Sequence, residues 1–173
     1  MTNPKMKLLV VRHAKAEERD EFSQKSSNDD LRPLTDEGRK IMRDVAKSLS
    51  RWTGSPDVLV SSPLVRAVQT AEILGGEFGV SKIYQTSTLA PEESPIALVD
   101  WLRKLADKEN PGLVCVVGHE PHLSLMISYL LTGEARSFID FKKSGACLLE
   151  FPDGVIQERS VLLRWLIQPK QCS

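Results

Sequence analysis

The chain has 173 residues and no net formal charge, with 23 Lys and Arg balanced by 23 Asp and Glu. These charges are spread without a basic tail or an acidic block, which argues against a nucleic-acid arm or a polybasic membrane anchor. A hydrophobic content of 41% with 27% charged residues fits a globular chain rather than a disordered one, and no apolar run approaches the roughly 18 residues of a membrane-spanning helix. The length fits one domain spanning 1–173. Met1 to Lys7 is polar, and the apolar run Leu8 to Val11 is too short for a signal-peptide core. Cys115, Cys147 and Cys172 are odd in number and lack metal-type spacing. A cytoplasmic protein without disulfides is expected.

Lys7 to Val11 reads as a buried strand that stops at Arg12-His13. Residues 15–33 follow as a long polar loop, a length that points to function or mobility. Thr35 caps a helix with Asp36 and Glu37 in its first turn, and Ile41, Val45, Ala46 and Leu49 recur at helical spacing until Gly54. Val58 to Val60 is a second strand, followed by Ser61-Ser62-Pro63, with Pro63 suited to a first helical turn. Leu64, Ala67, Val68, Ala71 and Leu74 form the next amphipathic face, with Gly75-Gly76 as its stop. Lys82 to Tyr84 is a short strand, and Ser94 to Ala106 a helix opened by Ser94-Pro95. Leu113 to Val117 is a clean strand capped by Gly118-His119-Glu120-Pro121, and residues 121–131 continue as an apolar helix. Ala146 to Phe151 and Val161 to Ile167 are strands joined through Asp153-Gly154. Alternating buried strands and helices predict an α/β fold, a three-layer α/β/α sandwich with a mainly parallel sheet and an antiparallel edge strand.

In such sheets ligands bind beyond the carboxyl ends of the strands. Those ends here carry Arg12 and His13, then Ser61-Ser62-Pro63 with Arg66 one turn into the next helix, then His119. Any one of them alone is ordinary loop or surface chemistry. Together they predict a cationic, histidine-containing pocket at one sheet edge. Arginine forks suit phosphoryl oxygens, and their charge disfavours protonation of a neighbouring imidazole. A neutral imidazole can attack phosphorus while the arginines match the transition-state charge. Neither a P-loop nor a cluster of metal ligands is evident, so no metal and no cofactor is expected. His122 is expected to be structural.

Three segments carry a family resemblance. Leu8-Leu9-Val10-Val11-Arg12-His13-Ala14, Ser61-Ser62-Pro63-Leu64-Val65-Arg66-Ala67-Val68-Gln69-Thr70-Ala71 and Gly118-His119-Glu120-Pro121 resemble, in order and interval, the motifs of the histidine phosphatase superfamily, with its phosphoglycerate-mutase-like fold. The short length, Leu31-Arg32-Pro33-Leu34-Thr35 and the Trp165-Leu166-Ile167-Gln168-Pro169 run are most similar to the SixA-type phosphohistidine phosphatases. The resemblance implies that His13 is a nucleophile that becomes phosphorylated. It further implies that Arg12 and Arg66 hold phosphoryl oxygens and that His119 completes the pocket. Arg32 is a further candidate cation, or else a structural ion-pair partner of Asp29, Asp30 or Asp36.

Two departures stand out. Ala14 replaces the usual glycine, a change tolerable where φ is negative. The inserted segment that carries a general acid in many relatives has no room here, and Glu92 and Glu93 are the candidates in the right region. A phosphohistidine leaving group needs less acid assistance than an alkoxide. The expected activity is therefore removal of phosphate from phosphohistidine on a protein, with a phosphotransfer domain as the partner. No nucleic-acid or membrane partner is expected, and the chain is expected to be a monomer. Two alternatives stay open: a phosphomonoesterase acting on a small metabolite or nucleotide, and a non-catalytic phosphohistidine-binding module.

Overall fold

The structure is a computed structural model that describes residues 4–172; residues 1–3 and 173 of the expected 1–173 domain lie outside the described residues. Its organising strand is β1 (Met6–Arg12), in which Leu8, Leu9, Val10 and Val11 are all fully buried. Successive side chains point to opposite faces of a strand, so a continuous apolar run requires cover on both sides. Leu9 and Val11 pack with α2 (Asp36–Thr53) and α3 (Val65–Phe78), whereas Leu8 and Val10 pack with α4 (Pro95–Glu109) and α5 (His122–Thr132). Each such side chain contributes roughly 1.5–3 kcal/mol of burial. The two helix pairs and the sheet between them make the three expected layers.

The sheet has six strands in the order β3-β2-β4-β1-β5-β6, where β2 is Val58–Ser61, β3 Ile83–Gln85, β4 Leu113–Gly118, β5 Ala146–Phe151 and β6 Leu162–Ile167. β3, β2, β4 and β1 are parallel, and β5 alone runs against them. β6 then pairs antiparallel with β5 and forms the edge. The register sets Val10 opposite Val116 on one side and Cys147 on the other.

Several boundaries differ from expectation for local reasons. The 15–33 segment is not wholly loop. It holds a short helix α1 (Arg19–Ser23) and a 3₁₀ turn at Asp29–Leu31 that is opened by the Asn28 side chain accepting from the Asp30 N–H at 3.1 Å. Pro63 precedes the helix instead of entering it, because Ser62 Oγ accepts from the Leu64 N–H at 3.3 Å and α3 begins only at Val65. Gly75 and Gly76 do not stop α3. The helix runs on to bury Phe78 and ends at Gly79, which takes the left-handed conformation that glycine adopts without penalty. α4 likewise continues past Ala106 to Glu109, capped at its start by Ser94 Oγ accepting from Ile96 N–H. Thr35 caps α2 as expected, its Oγ1 accepting from Gly38 N–H at 3.0 Å. Among the described residues no helix is long and apolar enough to cross a membrane.

Candidate active site

β2, β4 and β1 are adjacent and parallel, so their carboxyl ends meet at one edge. Arg12 is in register with Gly118, and Ser61 with Val117. Beyond the ladder, His13 N–H donates to Gly118 O and Ser62 N–H to Val117 O, each at 3.0 Å. These bonds fix the first residue past each strand. The rings of His13 and His119 come to rest with centroids 5.1 Å apart. A cleft of about 240 Å³ opens there, lined by Arg12, His13, Arg32, Arg66 and His119 among others. Five of the seven residues singled out from sequence are thus brought together.

His13 is held in one tautomer. Its Nδ1 lies 2.7 Å from Ala14 O, and a carbonyl can only accept, so Nδ1 carries the hydrogen and Nε2 keeps a free lone pair. Burial pushes its pKa down to about 3, helped by the charges of Arg66, Arg12 and Lys143 and opposed by the Ala14 hydrogen bond. The ring is neutral at neutral pH. The backbone after it is pinned by Ala14 N–H donating to Thr70 Oγ1 at 3.0 Å, while that hydroxyl donates to Arg66 O at 2.7 Å. Ala14 has negative φ, so the methyl group absent from glycine causes no backbone strain.

The arginines are oriented by their outer nitrogens. Arg12 Nη1 donates to Phe141 O at 2.7 Å, and Arg66 Nη1 donates to Asp29 O at 3.0 Å. Among the described residues, Arg12 Nε, Arg66 Nε, His119 Nδ1 and both ring nitrogens of His122 are buried without a hydrogen-bond partner, and the first three belong to residues that line the cleft. Buried polar atoms in folded proteins are almost always paired, so two arginine donors and an imidazole nitrogen around one cleft point to a place for a polar ligand. His119 Nε2 lies 2.8 Å from Ser62 Oγ. Its pKa is pushed down to about 2, first by burial and then by the nearby His13 and arginine charges.

Arg32 answers to both of its expected roles. It is buried and lines the cleft, and its Nε donates to Asp29 Oδ1 at 2.8 Å. Asp29 also lies 3.4 Å from Arg66 and 3.5 Å from Arg19, so one carboxylate aligns three cations. The Arg32 hydrogen bond is the main reason its own pKa is lowered. Glu92 and Glu93 are exposed and do not line the cleft, although their neighbour Pro91 does. The acid that lines it is Glu120, whose pKa burial raises and whose Oε1 accepts from Ser124 N–H at 2.8 Å in the first turn of α5. Arg19 and Lys143 complete the lining, giving five cations against one carboxylate. Sequence reasoning missed both, because each lies in a polar segment without periodicity. Glu120, by contrast, adjoins His119 in a motif already singled out. His122 is buried near the Ser94 backbone and does not line the cleft.

Residues 8–90 match the family model described as histidine phosphatase superfamily (branch 1). An uncharacterized protein of Picosynechococcus sp. is 33% identical over 142 residues, which cover 81% of this chain and 82% of that one. The chain belongs to the histidine phosphatase superfamily. Its fold agrees with that of solved members. The structure of the protein histidine phosphatase SixA complexed with tungstate superimposes with a TM-score of 0.81 at 23% identity, covering 97% of this chain and 100% of that one. A putative SixA from Agrobacterium tumefaciens gives 0.74 at 21%, covering 96% and 99%. A phosphoglycerate mutase from Bacillus anthracis str. Sterne gives 0.73 at 14%, covering 99% and 96%. The resemblance read from the three strand-end motifs is therefore borne out. Within this histidine phosphatase fold, two of those motifs lie in the matched 8–90 region, and His119 lies beyond it.

Proposed function

We propose that this protein removes the phosphoryl group from phosphohistidine on a partner protein, through a phospho-His13 intermediate. The observation that carries the reading is the set of unpartnered buried donors around a neutral His13 whose Nε2 lone pair is free. A phosphoryl group supplies three acceptor oxygens for Arg12, Arg66 and His119. In the tautomer in which the Ser62 hydroxyl donates to His119 Nε2, the proton of this neutral ring sits on Nδ1, the atom that lacks a partner. Arg32, Arg19 and Lys143 add charge to the same pocket.

His13 Nε2 attacks phosphorus in line, and the substrate P–N bond breaks. The departing imidazole carries a hydrogen on its other nitrogen and leaves neutral. Phospho-His13 retains its Nδ1 hydrogen, which the Ala14 carbonyl accepts, so the positive ring is stabilised where it forms. Water then attacks phosphorus, the Nε2 electron pair returns to the ring, and the water proton leaves with phosphate. The arginines match the charge on the equatorial oxygens in both steps. No positioned acid is needed for such a leaving group, which agrees with the exposed placement of Glu92 and Glu93. Three unpaired cysteines suit a cytoplasmic setting.

One observation favours the ester reading. Glu120 lines the cleft with a raised pKa, as an acid for an alkoxide would. The deciding experiment offers the enzyme a phosphohistidine protein and a panel of small phosphate esters, with Glu120→Gln in parallel. The expected result is rapid cleavage of phosphohistidine, an acid-labile phosphoenzyme that is lost in His13→Ala, and little effect of Glu120→Gln. Efficient ester hydrolysis with phosphohistidine untouched would refute it.

A further inference from the structure

Of the five cations that line the cleft, four are held by acceptors of the protein itself. Arg12 donates to Phe141 O at 2.7 Å, and Arg66 to Asp29 O at 3.0 Å. Arg32 and Arg19 lie 2.8 and 3.5 Å from Asp29 Oδ1. Lys143 is the exception: among the described residues it has neither a hydrogen bond nor an ion pair. Arg12, Arg32 and Lys15 repel its charge, and Glu18 attracts it. Its ammonium group brings three donors to the cleft and no acceptor.

The turn that carries Lys143 is fixed to the end of β1. Ser144 N–H donates to His13 O at 3.2 Å, Arg12 N–H to Gly145 O at 3.1 Å, and Gly145 N–H closes the turn on Lys142 O at 2.9 Å. A Cβ at Gly145 would lie 2.7 Å from that same carbonyl oxygen. Ser144 holds a φ of 61°, a left-handed conformation that is uncommon outside glycine and persists where the surroundings over-determine it. Lys143 is thereby kept beside Arg12, and near enough to His13 for its charge to help hold that ring neutral. Its neighbour Lys142 is not among the residues lining the cleft and pairs with Asp140 at 3.0 Å.

We propose that Lys143 is a further substrate-contacting residue, the cation that closes on a phosphoryl oxygen when the dianion enters the cleft. The role rests on the reading of the cleft as a phosphoryl site, whatever group carries the phosphoryl. An incoming dianion gives the ammonium group its first acceptor and offsets the repulsion from Arg12. The arginines, already bonded to carbonyl or carboxylate oxygens, gain less. A hydrogen bond between two charged groups is stronger than a neutral one. Unlike an arginine, the lysine can also be titrated, and burial beside Arg12 holds its pKa below the usual lysine value.

Inorganic phosphate is the probe, and its affinity is measured by isothermal titration calorimetry at pH ~8 and pH ~10, a range in which it stays a dianion. The variants are Lys143→Gln, Lys143→Arg and Lys142→Gln, the last an equal change of charge in the same turn. Lys143→Gln is expected to weaken phosphate binding roughly tenfold at pH ~8, and Lys142→Gln less than about twofold. Wild-type affinity should fall between the two pH values as Lys143 loses its proton. Lys143→Arg should bind phosphate at pH ~8 and keep that affinity at pH ~10. Equal effects of the two glutamine variants, or the same fall with pH in Lys143→Arg, would overturn the role. A wild type that binds no phosphate at pH ~8 would overturn the phosphoryl reading of the cleft together with it.

Discussion

Acid should destabilise this protein through the two buried imidazoles of the candidate site, His13 and His119. His13 and His119 are 6% and 2% exposed, and their pKa values are pushed down to about 3 and about 2. In the unfolded chain each ring titrates near ~6.5. Between that value and about 3, the unfolded chain binds a proton at His13 that the native protein does not. Stability is therefore complete above the unfolded pKa and is lost as the pH falls through this window. At pH ~5 the loss is about 2 kcal/mol per ring, or about 4 kcal/mol for the pair, and it depends only on both native values lying well below 5. That is a large part of a typical domain stability of ~5–15 kcal/mol. Urea unfolding of the wild type and of His13→Asn, at several pH values between 8 and 5, isolates one ring. On acidification the variant should lose about 2 kcal/mol less than the wild type, because any contribution from His122 is common to both. Parallel profiles would refute the buried, neutral His13 on which the nucleophile argument stands.

Two substitutions address how His13 is held. A Cβ added at Gly38 would lie 2.2 Å from Lys15 O, so Gly38→Ala should destabilise by about 1–3 kcal/mol in chemical unfolding despite the better helix propensity of alanine; a neutral or stabilising result would show that the loop after His13 can move aside. Thr70→Val removes the acceptor of the Ala14 N–H at a buried position and should cost about 1–3 kcal/mol while lowering kcat more than it raises KM, with Thr70→Ser restoring both; equal behaviour of the two variants would mean that the hydroxyl does not position His13.

The strand ends were legible from sequence because each marks a break in pattern. The apolar run of β1 stops at Arg12-His13, that of β2 at Ser61-Ser62, and that of β4 at Gly118-His119. Parallel neighbours then oblige these breaks to meet. Arg19 and Lys143 carry no such mark, because only tertiary placement of α1 and of the 141–145 turn brings them to the cleft. Asp29 was one of three candidate partners for Arg32, and its second role beside Arg66 depends on the 3₁₀ turn, which composition did not reveal. The helix ends failed in a different way. A glycine pair inside α3 reads as a stop until the burial of Phe78 is known to outweigh its propensity cost.

The hydrogen bonds around the first strand also carry a consequence for how the protein is made. Arg12 N–H donates to Gly145 O, Ser144 N–H donates to His13 O, and the Arg12 guanidinium is oriented by Phe141 O. The strand-end motif at Arg12-His13 is thus finished by residues synthesised more than a hundred positions later. A nascent chain that has emerged only through α5 holds His13, Arg66 and His119 but lacks the turn that positions His13 and Arg12. The candidate site is therefore complete only once β5 has paired with β1.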